Sequence, residues 1–113
     1  MAEGGPPGRE SWPRDEHDAG TAELVAESAA TLGRAGRRLE QALVMLAAHQ
    51  PTDPRPRGEL VDAAAYHAWS YVIVRGALGW SDDDAALRSY QVPGEVRARI
   101  GAVREPPPGD PIT

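Results

Sequence analysis

Proline placement constrains this chain more than any other feature of its sequence. The eleven prolines leave two long proline-free stretches, residues 14–50 and 57–92. A proline inside a helix costs about 3 kcal/mol, and both stretches are rich in alanine and leucine, which favour helices. Each stretch is therefore predicted to be helical, and the chain is predicted to be an all-α protein.

The two ends of the chain differ in composition from the middle. Residues 1–18 combine glycine, proline and mixed charges without periodicity, and residues 104–113 include Pro106-Pro107-Pro108. Such segments cannot bury enough apolar area to offset the entropy lost on ordering. Both ends are predicted to be disordered tails, and residues 19–103 are predicted to form one helical domain.

The first predicted helix, residues 21–49, carries a heptad seam in which apolar or small residues alternate by three and four. They are Ala22, Val25, Ala29, Leu32, Gly36, Leu39, Leu43 and Leu46. This pattern predicts that a second helix packs along the seam, and the small residue Gly36 predicts a close approach there. The run 42–48 is apolar all round, which predicts burial on several sides.

The second predicted helix, residues 59–78, is predicted to lie at the centre of the fold and to end at Gly79. Its apolar side includes Tyr71, and Arg75 falls in the middle of that side. A guanidinium there must be paired or reach water. One explanation is structural, with Arg75 in the last turn of the helix, where it satisfies carbonyl oxygens and reaches water; the other is a buried ion pair or a ligand anchor. The candidate partners are Glu40, the Asp82–Asp84 cluster and the carbonyls near Leu78, of which the helix end and the aspartates are favoured. The structural explanation is favoured.

A pair of short helices is predicted at residues 81–90 and 93–101, with Ser81 as the N-cap of the first and Pro93 as the first residue of the second. In outline this pair resembles a helix-turn-helix, with Arg97 and Arg99 on its second helix. DNA binding through residues 82–101 is therefore an alternative function.

Charge and composition narrow the function classes. The net charge of -5 opposes phosphate contacts, so nucleic-acid binding is not expected. The sequence has no cysteine, which excludes thiolate chemistry and cysteine zinc sites. Its longest apolar run is far shorter than the roughly 20 residues that cross a bilayer. Residues 1–20 lack the apolar region of a signal peptide, so a cytoplasmic location without membrane contact is expected.

The remaining polar and aromatic candidates are isolated. His17, His49 and His67 have no paired spacing, so surface or boundary positions are expected and no metal site is predicted. Trp12 lies in the predicted N-terminal tail, where it is either a docking motif or an accidental aromatic residue.

A basic patch, formed by Arg34, Arg37 and Arg38, lies opposite the heptad seam of the first predicted helix. Such a patch is usually a solvated face, and Glu40 partly balances it. The alternative is a contact with an acidic partner or a phosphate group. The sequence leaves both interpretations open and favours the solvated face.

Two segments resemble a known family: Leu32–Glu40, and Trp69–Gly101 with its Arg75, Tyr90 and Val92-Pro93. Together they resemble a family of small, high-GC bacterial proteins called domain of unknown function 6665. The family pattern carries Gln-Arg-Glu where this chain has Val74-Arg75-Gly76, so the arginine matches and its neighbours do not. The resemblance implies a compact helical domain and implies no activity.

The predicted architecture is a small helical bundle: one long amphipathic helix packed on a buried second helix, plus a short C-terminal helix pair. No nucleophile–base pair or metal constellation stands out, and no cofactor is expected. The favoured function is a non-enzymatic interaction or assembly module, which binds an unknown protein or self-associates through the heptad seam. Its candidate structural or interaction residues are Arg75, Gly36, Trp69, Tyr71, Arg34, Arg37 and Arg38.

Overall fold

A computed structural model of the protein describes residues 14–108, with side chains from residue 22 onward. The regular secondary structure of these residues is helical. The helices in this range are α1 (Arg14–Ala48), α2 (Arg57–Ala77), α3 (Asp83–Ser89) and α4 (Gly94–Arg97). No strand occurs among these described residues. The predicted small all-α bundle, with a long first helix and a short C-terminal helix pair, is confirmed.

The chain divides into two units, residues 1–30 and residues 31–113. In the first unit the described structure is the beginning of α1, and none of its described side chains is buried. The second unit contains the remainder of α1 together with α2, α3 and α4. The buried core therefore lies in the second unit.

The core forms where residues 31–48 of α1 pack on α2. Leu39 and Leu46 of the seam are almost completely buried. Alanines of α2 face them, and small side chains let the two helices pack closely; the buried ones are Ala64, Ala65 and Ala68. The prediction that the second helix is the more buried one is confirmed.

The apolar run 42–48 is less buried than predicted. Ala42 and Leu46 lie in the core, but Val44 and Met45 are exposed. The prediction of burial on several sides is wrong, because neighbouring elements cover only one side of α1 at this point. A helix that is apolar all round can still be partly open to solvent, at an energetic cost that a ligand or partner would relieve.

The first helix begins earlier than predicted, at Arg14 instead of residue 21. Carboxylates at the start of a helix complement its dipole, and the sequence places Asp15 and Glu16 there. Residues 14–18 are thus helical and not part of a tail. The rest of the predicted N-terminal tail, including Trp12, lies outside the described residues.

The short helices differ from the predictions at their starts. Asp82, not Ser81, is the N-cap of α3, and its side chain makes no capping hydrogen bond because its carboxylate pairs with Arg75. Pro93 is the N-cap of α4 instead of its first residue, and α4 is a single turn. Irregular turns continue from there to Ala102.

The predicted C-terminal tail is described as far as Pro108. Pro106 and Pro107 are half-buried, and Pro107 and Pro108 line two cavities beside α2. This packing was not expected from the composition of the segment. Residues 109–113 lie outside the described residues.

Candidate functional site

Arg75 lies near the end of α2 and contacts residues of the segment that joins α2 to α3. Gly79, with a φ of 86°, lets the chain reverse, and the Trp80 amide donates a hydrogen bond to the Arg75 carbonyl oxygen at 3.0 Å. The predicted helix end at Gly79 is thereby confirmed within one residue. This turn brings Trp80 and Asp82 back onto the Arg75 side chain.

The Arg75 guanidinium is enclosed by two aromatic rings and one carboxylate. Its Cζ atom lies 5.0 Å from the centre of the Trp80 ring and 5.8 Å from that of Tyr71, within the range of cation–π attraction. Its Nη2 donates a hydrogen bond to Asp82. The Arg75 side chain is 11% exposed and that of Asp82 is 69% exposed. The expected partner from the Asp82–Asp84 cluster is therefore present, but the ion pair lies at the surface.

One nitrogen of this arginine has no polar partner. The Nε of Arg75 is buried and makes no hydrogen bond to any described residue. Its desolvation has to be offset by the two rings, since a buried unpaired donor costs about 1–3 kcal/mol. Arg75 thus connects α2 to the start of α3.

Gly36 lies against a pair of tyrosines. A Cβ atom at Gly36 would approach the Tyr90 hydroxyl too closely and would lie 3.5 Å from Cε1 of Tyr71. The rings of Tyr71 and Tyr90 meet edge to face, with centres 5.2 Å apart. The predicted close approach at Gly36 is confirmed, and α2 and the α3–α4 turn supply the contacting atoms.

Burial, and then the charge and hydrogen bond of Tyr71, raise the pKa of Tyr90 above its ordinary value. The folded state therefore favours the neutral phenol. The stabilisation is fully present below the unfolded pKa of about 10 and is lost as the pH rises through the raised folded value. We expect the free energy of unfolding, measured by urea titration, to fall as the pH rises above about 10. The fall should be smaller in Tyr90→Phe; equal falls in both proteins would contradict this account.

The C-terminal helix pair is fixed by ion pairs between elements. Arg97 Nη2 donates to Asp84 at 2.6 Å, and Arg99 Nε donates to Asp62 of α2 at 3.0 Å. The two arginines that the DNA-binding alternative relies on are therefore each paired with a carboxylate of the same chain. Pairing of this kind neutralises the positive charge that phosphate contacts require.

A further ion pair joins the start of α2 to α4. Arg57 Nη2 donates to Glu95 Oε1 at 2.6 Å. This hydrogen bond lowers the pKa of Glu95 and raises the pKa of Arg57. Both side chains are about half exposed, so the pair orients α4 and contributes little net stability.

The structure separates the predicted basic patch. Arg34 and Arg37 are exposed, and Arg34 donates a hydrogen bond to Thr31 at 3.2 Å. Arg38 is half-buried and lines a cavity instead. The solvated-face interpretation fits the first two arginines and not the third.

The two histidines whose side chains are described differ in burial. His49 is half-buried and its Nε2 lies 2.8 Å from the carbonyl oxygen of Arg55. His67 is buried, so the expected surface or boundary position is wrong for it. Its neighbour Trp69 is half-buried, with its ring centre 6.0 Å from that of Tyr66. The side chain of His17 lies outside the described residues.

Two cavities flank the proline segment that ends the described chain. One, of about 250 Å³, contains Arg38, Gln41, Arg55 and His67 in its lining. The other, of about 330 Å³, contains Glu59, Asp62 and Glu105. Neither cavity was predictable from the sequence, because both depend on where the prolines pack and no local pattern encodes that packing.

No helix in residues 14–108 is both long enough and apolar enough to cross a membrane. In the same part of the chain, no three histidine, cysteine or acidic side chains converge in a way that could hold a metal ion.

Comparison with known proteins places the chain in a family. No curated protein and no solved structure matches it. A family profile matches residues 13–107, which include all four described helices completely. This chain belongs to the family of unknown function DUF6665.

Proposed function

We propose that this chain is a non-enzymatic assembly module that self-associates through the N-terminal part of α1. One observation carries the proposal: Leu24 and Val25, adjacent on the helix of the first unit, are 70% and 63% exposed. Single exposed apolar residues are common. Large ones on a heptad seam, as Val25 is, or next to it, as Leu24 is, are usually covered by a partner helix.

The state of the seam supports this proposal. In the second unit, the seam residues Leu39 and Leu46 are buried in the chain's own core. In the first unit, the seam residues Ala22, Val25 and Ala29 are exposed and could contact a partner. Helices in proteins draw most of their stability from packing of an apolar face. The described side chains of the first unit are not buried, so an apolar contact with another molecule would stabilise this part of the helix.

The alternative, a DNA-binding or regulatory protein, has less support. Arg97 and Arg99 are paired with Asp84 and Asp62, and α4 is only four residues long. A helix that reads the major groove presents several side chains along its length. The proposed setting of the assembly module is the cytoplasm, as expected from the sequence.

The test is sedimentation equilibrium of the full chain over a range of concentrations. We expect reversible self-association, and we expect Leu24→Asp/Val25→Asp to weaken it at least about a hundredfold, because two charges would be buried in an apolar contact. The matched control is Ile73→Asp on α2, where a large apolar residue is 54% exposed but lies outside the seam. The proposal would be wrong if the chain were monomeric at every concentration, or if the control substitution weakened self-association equally.

Salt gives an independent check of the same surface. Glu23 lies beside the exposed apolar residues, so two copies that meet there bring like charges together. Screening of that repulsion is expected to strengthen self-association as sodium chloride rises toward physiological ionic strength. Weakening with salt would point instead to attraction between opposite charges, and hence to a different contact.

A further inference from the structure

The cavity with the arginines has the form of a small-molecule site. It lies in the second unit between α1, α2 and Pro107-Pro108, and its volume is about 250 Å³. Apolar side chains such as Met45 and Leu60 form part of its wall. Pockets that combine apolar walls with a few convergent polar groups are typical of ligand sites. The volume lies just below the roughly 300–1,000 Å³ of drug-sized pockets, which suits a small metabolite.

The charged residues that line this cavity are of one sign. Arg38 and Arg55 contribute cationic groups, and the described lining contains no acidic residue. The cavity across the proline segment is lined by three acidic residues together with Arg55, which borders both cavities, and the whole chain has a net charge of -5. A positive lining in an acidic protein is unexpected for a surface that only meets solvent.

Existing contacts of these side chains are compatible with a ligand. Arg55 Nε lies 3.6 Å from Glu59, and both Arg38 and His67 make contacts elsewhere in the chain. A guanidinium has five N–H donors in a planar fork, so one contact does not use up its capacity. Contacts within the chain also restrict the arginine side chains, which lowers the entropy lost when they bind a ligand.

We propose that this cavity binds a small organic anion that has an apolar body and a carboxylate or phosphate head. The head lies between Arg38 and Arg55, where charge-assisted hydrogen bonds to either oxyanion are strong. The body packs against Met45 and Leu60. This site is distinct from the assembly surface of the first unit and does not depend on it.

Benzoate and phenyl phosphate are suitable probes, with benzamide as the neutral counterpart. Isothermal titration calorimetry of the full chain is expected to show binding of at least one anion at millimolar affinity. Benzamide should bind about tenfold more weakly or not at all, because it lacks the charge that the arginines recognise. The relative affinities of the two anions identify the head group. No binding by either anion, or equal binding of benzamide, would overturn the proposal.

Neighbouring arginines provide matched variants. Arg38→Gln is expected to weaken anion binding about tenfold, since it removes a charged donor from the cavity. Arg37→Gln changes the net charge equally, but Arg37 is exposed and is not part of the lining, so affinity should stay unchanged. Equal losses in both variants would show a general charge effect and no site. If Arg38→Gln does not fold, Arg55→Gln replaces it, because that side chain is 46% exposed.

Discussion

Gly36→Leu is expected to lower the free energy of unfolding by about 3 kcal/mol. A β-carbon at this position already approaches the Tyr90 hydroxyl too closely, and a leucine side chain adds three more carbons against Tyr71. Overpacking of this kind typically costs about 1–3 kcal/mol and sometimes more. Urea unfolding followed by circular dichroism measures it.

A small double-mutant cycle separates the clash from helix propensity. Gly33→Ala is the control, because its Cβ would meet only Arg37 at an ordinary 3.5 Å, and it should stabilise the helix by up to about 1 kcal/mol. Gly36→Ala should not show that gain. In the Tyr90→Phe background the hydroxyl is gone, so Gly36→Ala should show part of the stabilisation that alanine gives a helix. Equal stabilisation by both alanines in the wild-type background would place Gly36 on an open face.

Arg75→Ala is expected to cost about 2 kcal/mol. The loss comes mainly from the contacts of the arginine with Tyr71 and Trp80, since Asp82 is already exposed and is not left buried. The exposed ring of Trp80 loses a cation at 5.0 Å, so its fluorescence should also change. An unchanged melting curve would mean that the cluster does not stabilise the fold.

Conservative changes distinguish the parts of this cluster. Arg75→Lys should recover only part of the stability, because an ammonium cannot stack as a planar guanidinium does. Asp82→Asn should cost less than Arg75→Ala, since only a surface ion pair is lost and its hydrogen bond can be partly replaced. If Asp82→Asn costs more than Arg75→Ala, the ion pair and not the aromatic packing is the dominant contact.

Much of the fold was predictable from local pattern. The proline-free stretches mark the two long helices, and Gly79 marks the end of the second, because proline and glycine act directly on the backbone. The small residue in the seam predicted a close approach at Gly36, since steric space is a property of the residue itself. The position of Arg75 on the helical wheel predicted a partner near the helix end, because a guanidinium among apolar side chains has to be paired or reach water.

What could not be predicted depends on contacts between segments distant in sequence. Asp62 lies on the polar face of α2, and nothing in its neighbourhood indicates a pairing with Arg99. His67 is buried although isolated histidines are usually at boundaries. The packing of Pro107, and with it the separation of Arg38 from the basic patch, follows from tertiary structure alone.

Disulfide trapping tests the proposed assembly most directly. The chain has no cysteine, so Val25→Cys introduces a unique thiol at the middle of the exposed seam. We take the two α1 helices as parallel and in register, which places these two thiols face to face, and a disulfide requires Cα atoms within about 7 Å. Under mild oxidation the account predicts rapid formation of a covalent dimer by Val25→Cys at concentrations where Ile73→Cys remains monomeric. Equal cross-linking rates for the two variants, or none for Val25→Cys, would contradict self-association through this part of α1.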